Sequence, residues 1–341
     1  MINITVDSSR KKCLVDYNEK PLFFSLVDYR NNYFTSNDPK RIIEFYNGFE
    51  NRDQLIRWLK ERPKGVANIH EVEGDKEIIV VIPTADFTGK YARECRENIF
   101  KDLHIVFVES AELPDPYFNY AHNCNVGIRK AMEYNPKWIV VSNDDMHAID
   151  DISVLNEKLK AMDNNKFSAI FINESKYHSI ITRISKPGVM RNYFSLIKFF
   201  LNYRKEKGIK DLLMIKLNLI HIEKKFDCTY IPNSPKGFFK FIYKEGYNYI
   251  NPMDFGILSA SFLKHNSGKI FDETFVNAHE DNDAGLNIFL EKQNYCFIDY
   301  TIGDYMGSSL GKGIARELRN AAGTIYLNYK YKERILQVME R

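Results

Sequence analysis

The apolar positions of this chain fall into short continuous runs separated by stretches with helical spacing. Residues 77–83, EIIVVIP, form a β-branched run ended by proline. With no polar residue alternating inside its apolar part, the run predicts a strand buried on both faces. HIVFV at 104–108, WIVVSN at 138–143 and FSAIFI at 167–172 repeat the pattern. Between them, residues 91–100, a segment through Asn123, Gly127 and Ala131, and residues 152–162 are predicted helices. Alternation of this kind predicts an α/β fold with a mostly parallel central sheet flanked by helices. Ligands of such sheets gather beyond the carboxyl ends of the strands, so the strand-ending residues are the ones to inspect.

The alternation has clear limits. Residues 1–75 offer one helical segment, DQLIRWLKE at 53–61, and read as an N-terminal extension or subdomain. After 172 the pattern lapses, and it resumes with MDFGILSASFL from Met253, a FDETF turn at 271–275, a helix opening near Glu280 and a strand, YCFIDYT, at 295–301. Residues 76–172 and 251–310 therefore read as two halves of one domain, with 173–250 a mostly helical insert and 311–341 a C-terminal helical segment.

Charge sharpens the picture of the insert. The chain carries a net +3, but 173–250 holds 15 Lys and Arg against 6 Asp and Glu, a net of +9, leaving 33 against 39 elsewhere. Fourteen Phe and Tyr are interleaved with those cations. Helices with solvated lysine faces fit this pattern, as does contact with an anionic membrane surface; nucleic acid fits less well. With 44% hydrophobic and 27% charged residues, the chain is expected to fold nearly throughout. Cys13, Cys95, Cys124, Cys228 and Cys296 are odd in number and lack CxxC spacing. The opening MINITVDSSRKK has no apolar signal core, and no run approaches the roughly 18 apolar residues of a membrane span. The expectation is a cytoplasmic setting, at most peripheral to a membrane.

Two acidic clusters carry the candidate chemistry. Asn143, Asp144 and Asp145 end an apolar strand, where adjacent carboxylates are costly unless a cation or hydrogen bonds compensate them. A divalent ion such as Mg²⁺ or Mn²⁺ fits that role, and a solvated turn is the plainer alternative. His279, Glu280, Asp281, Asn282 and Asp283 open a helix, where acids also serve as ordinary caps. Asp281, Asp283 and Gly285 lack the twelfth-position acid of a calcium loop.

The ordered set of a strand ending in Pro83-Thr84, a strand ending near Glu109, Asn125-x-Gly127-Ile128, a strand ending in the Asp pair, then FDETF and Glu280-Asp281 resembles the inverting GT-A glycosyltransferases, closest to glycosyltransferase family 2. The resemblance spans about 77–172 and 251–310 and implies a nucleotide-diphospho-sugar transferase fold. It also implies that Pro83, Thr84, Asp86, Glu109, Asn125, Asn143 and Asp144 line the nucleotide-sugar, that Asp145 and Asn143 hold Mn²⁺ or Mg²⁺, and that Asp281 is the general base with Glu280 positioning the acceptor. The donor would be a nucleoside diphosphate sugar, UDP-sugar favoured by family frequency, and the acceptor a hydroxyl of a glycan or lipid-linked sugar.

Two departures stand out. Asn143 replaces the first acid of the DxD pattern, and the stretch 304–312 lacks the histidine that often completes the family's metal site, leaving Asp304 or His279 as substitutes. Ser308, Ser309 and Lys312 form either a loop over the diphosphate or a plain surface loop. His147 and His122 lie close in sequence to site segments. A catalytically degenerate binding module and a sugar nucleotidyltransferase are the competing readings; the latter needs a Gly-rich loop, whereas ADFTGKYARE at 85–94 has one glycine.

Overall fold

A computed structural model describes residues 4–7, 12–15, 36–110, 117–172, 178–186, 189–233, 246–252, 254–305 and 313–340. Strands β1 (Ile4–Asp7) and β2 (Lys12–Val15) pair antiparallel ahead of α1 (Pro39–Asn47) and α2 (Arg52–Glu61). Both helices start on side-chain caps. Asp38 accepts from Lys40 N with Pro39 in the first turn, and Asn51 accepts from Gln54 N.

Next come β3 (Ala67–Val72), β4 (Asp75–Thr84), α3 (Lys90–Glu94) running into a π-helical turn at Cys95–Ile99, β5 (Leu103–Ser110), α4 (Tyr120–Met132) and β6 (Trp138–Ser142). They are followed by β7 (Met146–Ala148), α5 (Ile152–Ala161) and β8 (Ala169–Ile172). The insert contributes β9 (Ile180–Ser185), α6 (Val189–Tyr203), α7 (Ile209–Lys225), β10 (Ile231–Asn233) and β11 (Tyr247–Asn251). The chain closes with β12 (Phe255–Ser259), α8 (Ala260–His265), α9 (Glu280–Leu290), β13 (Tyr295–Ile298), β14 (Ile302–Asp304) and α10 (Gly313–Met339).

Seven strands form the central sheet in the order β13-β8-β12-β6-β4-β5-β3. β5 and β6 run parallel to β4, and β13 parallel to β8, while β3 and β12 run against their neighbours. The fold is therefore α/β with a mixed, mostly parallel sheet. Burial on both faces follows from the apolar runs. Ile78, Val80 and Ile82 enter one core with Trp138, Leu155 and Leu159, while Ile79 and Val81 enter another with Cys124, Ile128 and Ala131 of α4. α4 lies so close to the sheet that a Cβ on Gly127 would run into Val81 and Val108. That approach gives the Asn-x-Gly-Ile segment a packing role.

The insert combines helices with short strands. It carries α6 and α7, and also a three-stranded antiparallel sheet, β10-β9-β11. Alternating residues of β9 are buried, which a count of cations and aromatics does not reveal. A third core joins segments that looked separate in the sequence: Phe45, Tyr46 and Trp58 from α1 and α2 pack with Leu212 and Ile222 of α7 and with Leu318, Ile325 and Tyr331 of α10.

α9 and α10 are locked by a partly buried ion pair. Lys330 Nζ lies 2.8 Å from Asp283 Oδ1 and 2.9 Å from Asp272 Oδ2, and the Tyr331 hydroxyl donates to Asp283 Oδ1 at 2.6 Å. Removing the cation strands a fully buried carboxylate, so Lys330→Ala is expected to cost about 3 kcal/mol. Urea unfolding checks this, with the double variant Asp283→Asn/Lys330→Ala expected to recover part of the loss.

Candidate metal centre and active site

Three strand ends meet at the carboxyl edge of β6. Asn143, one residue past β6, donates its backbone N–H to the Asp254 carbonyl at 3.0 Å and its side-chain amide to Asp254 Oδ1 at 2.8 Å. β12 begins one residue after Asp254, with Phe255 opposite Ser142. Because β12 is antiparallel to β6, its first residues lie at the edge where β6 ends. On the other side of Asp145, β7 pairs with β14 in a register that sets Asp304 opposite Met146, and Tyr305 N–H donates to the Asp145 carbonyl at 2.8 Å.

His178, just ahead of β9, completes the group. Its buried ring donates from Nε2 to the Ile302 carbonyl at 3.0 Å, which leaves Nδ1 as the lone-pair nitrogen. One ligand atom each of His178, Asp254 and Asp304 lies within 4.8 Å of the others. Two carboxylates and an imidazole that close together form a donor set suited to a divalent cation.

The electrostatics favour a cation there. Burial, then the negative charges of Asp281, Asp304 and Asp145, pushes Asp254 up to about 7. Asp145 and Asp281, one from each sequence cluster, are thus both among the charges that bear on this half-buried carboxyl group. Backbone strain gathers here too. Ser179, Asp254, Asn277 and His279 are among the nine non-glycine residues with positive φ in the described chain.

Asp281 stands in the first turn of α9, whose start is fixed from several directions. His279, at φ 72°, pairs its Nε2 with the Thr324 hydroxyl at 2.9 Å and accepts at Nδ1 from the Asn282 amide at 3.3 Å. Burial holds His279 below the usual histidine range. Asn282 also donates to Asp281 Oδ1 at 3.0 Å and accepts from the Tyr249 hydroxyl. A Cβ on Gly323 would fall 2.6 Å from the Ala278 carbonyl, so α10 can approach this turn only with glycine there. His279 thus buttresses the first turn of α9, and among the described residues it is Asp304 that groups with His178 and Asp254.

Other predicted residues serve as supports. Thr84 donates to Asp144 Oδ2 at 2.6 Å, fastening Asp144 to the end of β4. Pro83 is buried inside β4, and exposed Asp86 accepts from Thr88 N at 2.9 Å in the following turn. Glu109 takes Phe87 N–H at 2.8 Å and pairs with His70 Nε2 at 3.0 Å, while the His70 ring stacks on Phe87. Asn125 is fully buried and donates to the Phe271 carbonyl at 2.8 Å and to Glu273 Oε1 at 3.1 Å. Its amide is committed to the 270–273 loop. His122 pairs with Glu273 at 3.0 Å and holds that carboxyl down to about 2. His147 packs against Gly303 and Tyr305. Ser308, Ser309 and Lys312 lie outside the described residues.

His178 and Asp254 were absent from the sequence reading. The available signal was a histidine and an acid standing directly before strand-like runs, at 178 and 254. No protein-family model matches the chain, and no curated protein matches it at a significant level.

Metal binding is expected to raise the melting temperature of the wild-type chain on titration with Mn²⁺. Asp254→Asn should abolish that rise, and Asn143→Ala should weaken the apparent affinity about 10–100-fold. A second expectation concerns Glu280, buried with Oε1 unpartnered and raised by burial from the ordinary 4.5 to about 8. Between those values the unfolded chain is ionised and the folded chain keeps its proton. Stability therefore declines as pH rises, by at most about 1.4 kcal/mol per pH unit from this group. Thermal melts in chelator across that range should show a flatter decline for Glu280→Gln, with its advantage largest at the alkaline end.

Proposed function

We propose that this chain is a GT-A glycosyltransferase that moves a sugar from a nucleoside diphosphate sugar to a hydroxyl acceptor with inversion. The carrying observation is that Asp145 and Asp281, more than a hundred positions apart in the sequence, both bear on Asp254 beside His178 and Asp304. The mostly parallel sheet flanked by helices agrees with the fold that the resemblance implies.

His178, Asp254 and Asp304 would hold the ion, with Asp145 adjacent. Imidazole among oxygen donors fits Mn²⁺ better than Mg²⁺. When bound, the ion neutralises the charge that develops on the departing diphosphate. In the transfer itself, the acceptor oxygen bonds to the anomeric carbon as the bond from that carbon to the diphosphate oxygen breaks, and the electron pair leaves with the nucleotide. Asp281 takes the acceptor proton. Asn282, braced by His279 and Tyr249, fixes the carboxylate's orientation, which matters because positioning contributes more to such a step than basicity. Asn143 is no obstacle to this reading, since its amide N–H orients Asp254.

The test is sugar transfer or donor hydrolysis with UDP- and GDP-sugars in Mn²⁺. Asp281→Asn should lower kcat by about 10²–10⁴-fold and spare metal-dependent nucleotide binding. Binding without turnover across the donor and acceptor panel would instead identify a non-catalytic binding module.

A further inference from the structure

The α6–α7 hairpin displays an apolar surface unlike the rest of the molecule. Of the seventeen large apolar side chains exposed among the described residues, seven fall within 197–220. On α7, Ile209, Leu213, Leu217 and Ile220 follow one another at intervals of four, four and three, which places them along one face. They are between 40% and 74% exposed. The opposite face, through Leu212, Ile215, Leu219 and Ile222, is buried in the helical core. α7 is thus apolar on two sides, and only one of them is used within the fold. α6 adds Ile197 and Leu201, one turn apart. Single exposed aliphatics need no explanation, but a continuous stripe of them does.

Its surroundings indicate what covers it. Residues 197–225 carry eight Lys and Arg against three Asp and Glu, a net of +5. Lys205, Lys207 and Lys210 are exposed at the turn between the helices, and Lys224 is exposed near the end of α7. Interfaces between proteins are depleted in lysine, whereas long lysine stems spread along an apolar surface suit anionic headgroups. Among the described residues no helix is long and apolar enough to cross a membrane, so insertion would be confined to one interfacial layer.

We propose that the α6–α7 hairpin docks this protein on an anionic lipid surface, with the Ile209–Leu213–Leu217–Ile220 stripe entering the headgroup boundary and the adjoining lysines pairing with lipid charge. The inference is independent of the catalytic reading, because none of these residues takes part in the site above.

Co-sedimentation with vesicles of phosphatidylcholine alone and of phosphatidylcholine with 30 mol % phosphatidylglycerol (an assay condition, roughly the anionic fraction at which polybasic segments bind) tests it. The wild-type chain should pellet with the anionic vesicles at low salt, and far less with the neutral ones or at high salt. Leu213→Gln/Leu217→Gln keeps good helix formers on α7 and should weaken partition at least roughly tenfold with an unchanged helical circular dichroism signal. Lys205→Gln/Lys207→Gln/Lys210→Gln should weaken it about a hundredfold at low salt, near fivefold per lysine. Vesicle binding that both variants retain would overturn the proposal, as would no binding by the wild type. So would a wild-type dimer in sedimentation velocity that Leu213→Gln/Leu217→Gln abolishes, because the stripe would then belong to a second copy. Donor hydrolysis by the leucine variant, measured without vesicles, should stay at the wild-type level, so loss of docking reads separately from loss of chemistry.

Discussion

Carboxylates from four separate segments bear on one half-buried point of this molecule. Asp254 lies within reach of the charges of Asp145, Asp281 and Asp304, and burial removes the water that would otherwise screen them. Such an arrangement is unfavourable by itself and becomes favourable around a cation. The surrounding structure is built to hold it. Asn143 spends both its backbone and its side-chain donor on Asp254, and His178 is tied to the β14 backbone. Several residues accept positive φ in the same neighbourhood.

The loop at 270–277 acts as the joint between the two halves of the sheet domain. Asn119, His122 and Asn125 of the α4 segment grip its backbone and Glu273, while Asp272 reaches Lys330 and Tyr326 on α10. Arg62 adds a bond from the N-terminal region to the Phe275 carbonyl at 2.8 Å. The Asn-x-Gly-Ile and FDETF segments, which stood out in the sequence as separate signals, are therefore halves of one bracket. What they position is the start of α9, and with it Asp281.

Much of the sheet was legible from its apolar runs, because burial on both faces leaves no polar interruption in β4, β5, β6 or β8. In the sequence, Asp145 and Asp281 were linked only through resemblance and order. Asp254 escaped for a geometric reason. An acid before a strand lies at the wrong edge if that strand is parallel, and at the ligand edge if it is antiparallel; β12 is antiparallel, which its sequence does not reveal. His178 was hidden by its neighbourhood, a segment judged by its cations and aromatics. Composition also concealed β9, β10 and β11, since strands of three to six residues leave little periodic trace.

The shared core of α1, α2, α7 and α10 has a bearing on how the chain tolerates change. α10 holds His279 through Thr324, and it shares a hydrophobic core with α1 and α2. Trimming the N-terminal helices would expose the partners of Phe45 and Trp58 on α10 and loosen the helix against which His279 and the start of α9 rest. What begins in the sequence as an appendage is a foundation for the turn that carries Asp281.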